Sequence, residues 1–282
     1  MMWTNRISLA NHIDSWLDHQ SEQMVLVWEK SIERFYPQYL EIWTNPELHL
    51  KTLSEVWNLP KAADELDWET YLTGDQLKII DIGAGTGWLS IMLSKYQNVE
   101  QIYTLDASPT NLQMMLPALI KPLGGNPTKI KPVLGLFTPL LVPDNFFNIA
   151  VASSAVHHAP DLTELLSEVY RVIKPGGFFL ILNEQPFSPL RYALVVLYRC
   201  VKILRTIALQ QWQPVAKPIS ETGLMLDPFL GDRAYGYWQW QKAIQSAGFS
   251  FEMIKTSYHP RQNEDTRFSI KLTHFVAQKP LC

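Results

Sequence analysis

Cysteine is scarce in this 282-residue chain: the two, Cys200 and Cys282, stand far apart, which excludes a disulfide framework and a thiolate metal centre. Charge is scarce too, at 18% of residues against the roughly 25% usual for globular proteins. Neither sign prevails, since 24 Lys and Arg face 27 Asp and Glu for a net charge of -3. Such a balance supplies no general basic field, so no nucleic-acid partner is expected. Long apolar runs are missing as well, and none reaches the roughly 18 residues of a membrane span. The opening MMWTNRISLANHIDSWL carries His12 and Asp14 where a secretory leader would be apolar, so no signal peptide is expected. No repeat or low-complexity tract is present. These exclusions predict a cytoplasmic protein, and the length allows one large domain or a domain with an added cap. With 47% apolar residues beside so few charges, a greasy pocket, an interface, or both are expected.

Glycine is also uncommon, at 13 residues, yet three fall at alternate positions in residues 77–90, LKIIDIGAGTGWLS. Leu77, Ile79, Ile80 and Ile82 predict a short strand that ends in Gly83, Gly85 and Gly87, after which an apolar pattern resumes as a helix. Glycine there allows positive φ and lets a ligand approach the backbone. Free N–H groups at the start of the helix favour polar or anionic ligand atoms. A dinucleotide loop, G-x-G-x-x-G, would place its third glycine at 88, where this chain has Trp88. It has instead an acid, Asp81, two positions before the first glycine. A second strand, Tyr103, Thr104 and Leu105, closes at Asp106, roughly 20 residues beyond the loop, where an acid would accept hydrogen bonds from ribose hydroxyls.

The arrangement D-x-G-x-G-x-G resembles the first motif of the class I S-adenosylmethionine-dependent methyltransferases. The likeness continues through VLGLFTPLLVPDNFFNIAVASSAVHHAP at 133–160 and RVIKPGGFFLILNE at 171–184, which are similar to later motifs of the small-molecule branch of that superfamily. It implies an α/β fold: a doubly wound, mostly parallel, seven-stranded Rossmann-like sheet with an antiparallel last strand. It implies S-adenosylmethionine as cofactor and S-adenosylhomocysteine as product. The positions implied for cofactor binding are Asp81, Gly83, Ala84, Gly85, Gly87, Asp106, Ala107, Leu136, Phe137 and Ser153, with no metal. Two positions depart from the pattern. Leu136 stands where the family commonly has an Asp that receives the adenine amino group, and Asn148 where a strand-opening Asp is usual.

Strands alternating with helices over 77–184 predict a parallel sheet with right-handed crossovers, whose ligands sit beyond the carboxyl ends of the strands. Residues 1–75 read as helices and turns that form an N-terminal lid or scaffold, with His12, His19 and His49 on its surface. Residues 76–282 form the methyltransferase core with a cap insert at 186–234. Within the insert, a helix over 188–212 places Arg191, Arg199, Lys202 and Arg205 among apolar residues. It is read either as a cap over the substrate pocket or as a helix lying on a membrane surface. The rest of the insert reads as a long ordered loop or lid. Tyr235, Tyr237, Trp238 and Trp240 form an aromatic group for the core or the pocket wall. A helix over 237–247 and two final strands complete the chain.

His157 and His158 follow an apolar strand over 149–156 and are the candidate bases, because imidazole titrates near neutral pH. Strand alternation predicts that only one of them faces the pocket. Glu184 is the third catalytic candidate, or else a partner for Arg191, and His259 is an additional base candidate. The function implied is methylation of O, N or C of a small, fairly apolar metabolite, with lipid or quinone-like acceptors as a subset. The alternative is a catalytically inactive accessory protein that binds S-adenosylmethionine or S-adenosylhomocysteine. The displaced third glycine argues against a nicotinamide dehydrogenase. No oligomeric state follows from the sequence.

Overall fold

The structure, a computed structural model, describes residues 13–208, 223–227, 231–260 and 270–281. The amino-terminal part begins with a two-residue strand, β1 (Asp14–Ser15), and continues as α1 (His19–Phe35), α2 (Pro37–Thr44), α3 (Pro46–Lys51), α4 (Leu59–Ala63) and α5 (Trp68–Tyr71). Local chemistry sets these boundaries. The Asp18 carboxylate accepts the Ser21 N–H at 2.8 Å and starts α1. Prolines at the first positions of α2 and α3 supply a preset φ where no N–H is needed.

The core follows as β2 (Leu77–Ile82), α6 (Trp88–Leu93), β3 (Val99–Asp106), α7 (Leu116–Ile120), β4 (Ile130–Leu134), β5 (Phe147–Ser153), α8 (Leu162–Val172) and β6 (Ile173–Glu184). Then come α9 (Pro189–Ala208), β7 (Leu224–Asp227), β8 (Asp232–Ala234), α10 (Tyr237–Ser246), β9 (Glu252–Lys255) and β10 (Thr273–Gln278). The sheet order is β1-β4-β3-β2-β5-β6-β10-β9. Every pairing is parallel except those of β10 with β6 and β9. This is the doubly wound sheet that the sequence predicts, extended at one edge by β1. Residues 1–75 are read from the sequence as helices and turns, and the short strand β1 is an addition to that reading. Two residues are too short to show alternation, and β1 is held instead by the Trp16 N–H on the Leu134 carbonyl and the Lys131–Asp14 ion pair at 2.6 Å.

The central strands are buried on both sides, and their alternation divides the core in two. Ile80, Ile82, Ala150, Ala152, Phe179 and Ile181 pack under α8 and α10. Ile79, Ile149, Val151, Leu180 and Leu182 pack under α4, α5 and α6. Each such Ile, Val, Leu or Phe side chain contributes about 1.5–3 kcal/mol on burial. The amino-terminal cover is pinned by buried polar bonds: Asn183 Nδ2 donates to the Leu59 carbonyl at 3.2 Å, and His274 Nε2 meets the Ala62 carbonyl at 2.8 Å.

The K-P-G-G stretch reads as a turn but lies inside β6 as a bulge. Phe147 pairs with Ile173, and the next pair is Ile149 with Phe178. Asn148, which stands where an Asp is usual, accepts from the Lys78 N–H at 3.0 Å and from Lys174 Nζ at 3.1 Å, so an amide oxygen serves both donors. In the cap insert, α9 spans residues 189–208, and the remainder of the helix expected to 212 lies outside the described residues. The expected lid loop is in part a hairpin, with Leu224 opposite Ala234.

Near the carboxyl end, all three protons of the Lys279 ammonium are used. They go to Asn145 Oδ1 at 2.9 Å and to the carbonyls of Tyr170 and Ile173 at 2.8 Å each. Lys279→Met leaves these acceptors unpaired and lowers unfolding free energy by about 1.5–3 kcal/mol in urea titration. An unchanged midpoint would show that water replaces the ammonium without cost.

Candidate functional site

Beyond Ile82 the chain turns through Gly83, Gly85 and Gly87 with φ of +65°, +54° and +77°. Two of these glycines are required by packing: a Cβ on Gly83 would stand 2.8 Å from the Ala155 Cβ, and one on Gly87 would stand 2.4 Å from Leu116. Gly85 differs, because a Cβ there would meet nothing within 4 Å among the described residues. The back of the loop is packed while its Gly85 face stays open, which is the shape a backbone cradle for a ligand requires.

Asp106, at the end of β3, is tied to that cradle. Its Oδ2 accepts the Gly85 N–H at 2.7 Å, and its Oδ1 accepts the Ser108 N–H at 2.8 Å and Asn111 Nδ2 at 3.2 Å. Burial, with the charge of Glu29 added, raises its pKa to about 6 against the hydrogen bonds that lower it. Asp81 lies behind the loop, only 1% exposed. Its Oδ2 accepts the Ser90 N–H at 3.1 Å and the Ser90 hydroxyl at 2.7 Å, and its Oδ1 is buried without a partner. Burial raises its pKa to about 7. The structure thus places Asp81 beneath α6, while Asp106 is at the crevice itself.

The other cofactor candidates gather at the same end of the sheet. Ala84 donates its N–H to the Leu105 carbonyl, Gly135 donates to the Asp106 carbonyl, and Phe137 lies against Gly83. Ala107, Leu136 and Phe137 are part-buried. The Ser153 hydroxyl accepts from Asn183 Nδ2 at 2.8 Å.

The histidines depart from expectation. β5 ends at Ser153, Ser154 takes φ of +51°, and residues 156–158 form a 3₁₀ turn. Alternation therefore stops before the pair, and both rings turn the same way, 4.2 Å apart and tilted by 36°. Asp232 of β8 meets both, at 3.5 Å from His157 Nε2 and 3.1 Å from His158 Nδ1. Glu184 is buried and not paired with Arg191: its Oε2 meets His157 Nδ1 at 2.8 Å and its Oε1 accepts the Val156 N–H at 3.1 Å. Arg191 lies over the Phe187 ring. Arg233 donates to the carbonyls of His158 and Ala159 and fixes the hairpin to this turn. His259 is elsewhere, its carbonyl accepting from Asn58.

Three contacts from the amino-terminal helices reach the site without having been expected. Glu29 of α1 accepts from the Ser108 hydroxyl at 2.5 Å and the Thr110 N–H at 3.2 Å. Tyr36 donates to Asp227 of β7, which raises its pKa to about 12. His49, expected on the surface, is 4% exposed and bonds Thr86 of the glycine loop through Nε2 at 2.7 Å. Burial lowers its pKa to about 4 against the Ile42 carbonyl, so it is neutral. Its spacing offers a signal, because 49, 53 and 56 share one helical face. His19 is exposed, and His12 lies outside the described residues.

An open doubly wound sheet with a glycine-rich first turn and an acid at the end of the second strand defines a nucleotide-binding class of α/β protein. Residues 80–181 match the methyltransferase domain family. Among curated proteins it is similar to a sterol 24-C-methyltransferase of Gibberella zeae, 31% identical over 105 residues, or 37% of this chain and 27% of that one. A squalene methyltransferase of Botryococcus braunii is 47% identical over 49 residues, 17% of this chain and 13% of that one. The matches thus span about a quarter or less of these relatives. Of solved structures, a putative sarcosine dimethylglycine methyltransferase from Galdieria sulphuraria shares the fold at a TM-score of 0.55 and 16% identity, over 79% of this chain and 85% of that one. The [4+2]-cyclase SpnF does so at 0.53 and 16%, over 76% and 78%.

The clamp on His157 has a pH signature. Burial pulls its pKa down, but the Glu184 charge and the hydrogen bonds of Asp232 and Glu184 outweigh it and raise it from 6.5 to about 10. Its stabilising contribution is complete below pH 6.5 and is lost as pH rises through about 10. The melting-temperature advantage of the wild type over His157→Gln therefore shrinks across that window. A difference constant from pH 6 to 10 would mean that the ring carries no charge in the fold.

Proposed function

We propose that this protein transfers a methyl group from S-adenosylmethionine to O, N or C of a small, apolar, lipid- or quinone-like metabolite in the cytoplasm. The observation that carries the donor assignment is the open face of Gly85 beside the Asp106 carboxylate. The residues fit the group. Asp106 keeps one lone pair for a ribose hydroxyl, the Gly85 face leaves room for the methionine part, and the Asp106 carboxylate at the crevice suits a ligand that bears positive charge. The half-buried Leu136 can pack on the base but cannot accept its amino group.

When bound, the donor supplies an electrophilic methyl on a sulfonium. The chain's part is alignment, which contributes on the order of 7 to 11 kcal/mol in well-oriented systems. Glu29 and Tyr36 from α1, with Asp227 and Asp232 from the hairpin, bring the lid down over the strand ends and exclude water. His157 retains its proton to about pH 10 and has both nitrogens engaged by carboxylates. In this closed arrangement it orients the site rather than accepting a proton. An acceptor that needs no base is consistent with that geometry. The names of the sterol and squalene methyltransferases support an apolar acceptor.

A second reading is a cofactor-binding protein without methyl transfer, favoured by Leu136 and by the cyclase that shares this fold. A lipid and quinone acceptor panel with labelled donor separates the two, since turnover on any member removes the second.

Calorimetry with S-adenosylhomocysteine tests the donor site. Gly85→Val fills the open face and abolishes binding. Asp106→Asn weakens it by about 1–3 kcal/mol. Wild-type affinity falls as pH drops through about 6, the pKa of the free site, and the variant lacks that dependence. Unchanged affinity in both variants would place the ligand elsewhere.

A further inference from the structure

The α9 helix is apolar on two sides. Tyr192, Val195 and Val196 pack against Phe187, Leu224 and Ala234 under the cap hairpin. On the other side Leu190, Leu194, Leu197, Tyr198 and Val201 recur at i, i+4, i+7, i+8 and i+11, and each is more than half exposed, from 55% to 71%. The helix sequence holds four basic residues, Arg191, Arg199, Lys202 and Arg205, and no acid. Other elements also expose apolar side chains. Leu226 of β7 is exposed, and α1, joined to β7 through Tyr36 and Asp227, exposes Met24, Val27 and Trp28. An apolar stripe of this extent on a folded surface marks an interaction site.

We propose that this face docks on an anionic lipid bilayer, with the α9 stripe in the interfacial layer and the net positive charge of the helix sequence attracting the headgroups. Charge selects this partner. A second copy of the chain packed stripe to stripe would set cation against cation, whereas anionic headgroups neutralise them. The contact is peripheral, because no described helix is long and apolar enough to cross a membrane. α9 leaves β6 at the carboxyl end of the sheet, so docking turns the crevice mouth toward the lipid. The inference stands apart from methyl transfer and is tested without donor or acceptor.

The test is sedimentation of the full chain with vesicles of phosphatidylcholine alone or with phosphatidylglycerol. Size-exclusion chromatography runs in parallel. The protein pellets with phosphatidylglycerol vesicles at low salt and stays in solution at high salt. Leu194→Glu/Tyr198→Glu, with melting temperature and S-adenosylhomocysteine affinity as controls for folding, loses binding. The wild-type salt and lipid dependence needs no variant and decides the matter if the double variant fails those controls. Protein in the supernatant with anionic vesicles at low salt overturns the proposal, as does equal pelleting on neutral vesicles or by a folded double variant. A wild-type dimer that the double substitution dissociates, with no vesicle binding, assigns the stripe to a second copy.

Discussion

The site depends on one hydrogen bond, from the Gly85 amide to the Asp106 carboxylate. It joins the first turn of the sheet to the end of the neighbouring strand and holds the turn in a left-handed conformation with its open side toward the crevice. The bond is possible because β2 and β3 are parallel neighbours in register, with Ile82 opposite Leu105. The same carboxylate receives Ser108 and Asn111, so the loop after β3 is ordered by the group that orders the loop after β2. A carboxylate with these bonds stays buried at a cost, seen in its raised pKa, and a donor ligand offsets that cost.

Two parts of the chain that lie outside the sheet's central strands complete the crevice from above. The amino-terminal helices send Glu29 to the β3 loop and His49 to the glycine loop, and the hairpin of the cap sends Asp232 to the histidine turn. The contact between Tyr36 and Asp227 closes them on each other. Charge is distributed unevenly in this enclosure: carboxylates predominate, and His157 is the cation clamped between two of them. A positively charged ligand meets attraction there.

Much of the sheet was legible because its strands are buried on both faces and end in unambiguous punctuation. The glycines at 83, 85 and 87 mark the turn by their spacing, and the acid at 106 closes the neighbouring strand. Leu136 and Asn148 stood out as departures, and the structure explains Asn148 through its two donors. The histidine turn was misread for a local reason. Nothing in VASSAVHH marks Ser154 as the end of the strand, and a positive φ there puts both rings on one side. β1 is too short to carry a pattern. A histidine between Glu47 and Lys51 reads as solvated, yet His49 is buried on the helical face that its spacing shares with Leu53. The partners of Glu184 and Lys279 come from distant segments, which no window of sequence displays.

The most direct measurement is a crystal structure of the protein grown with S-adenosylhomocysteine. The account predicts the ribose hydroxyls on the Asp106 carboxylate and the methionine part laid over Gly85, with the sulfur facing the turn that bears His157 and His158. Density for the nucleoside anywhere other than at this loop, or a loop closed over Gly85 with the ligand absent, would contradict it.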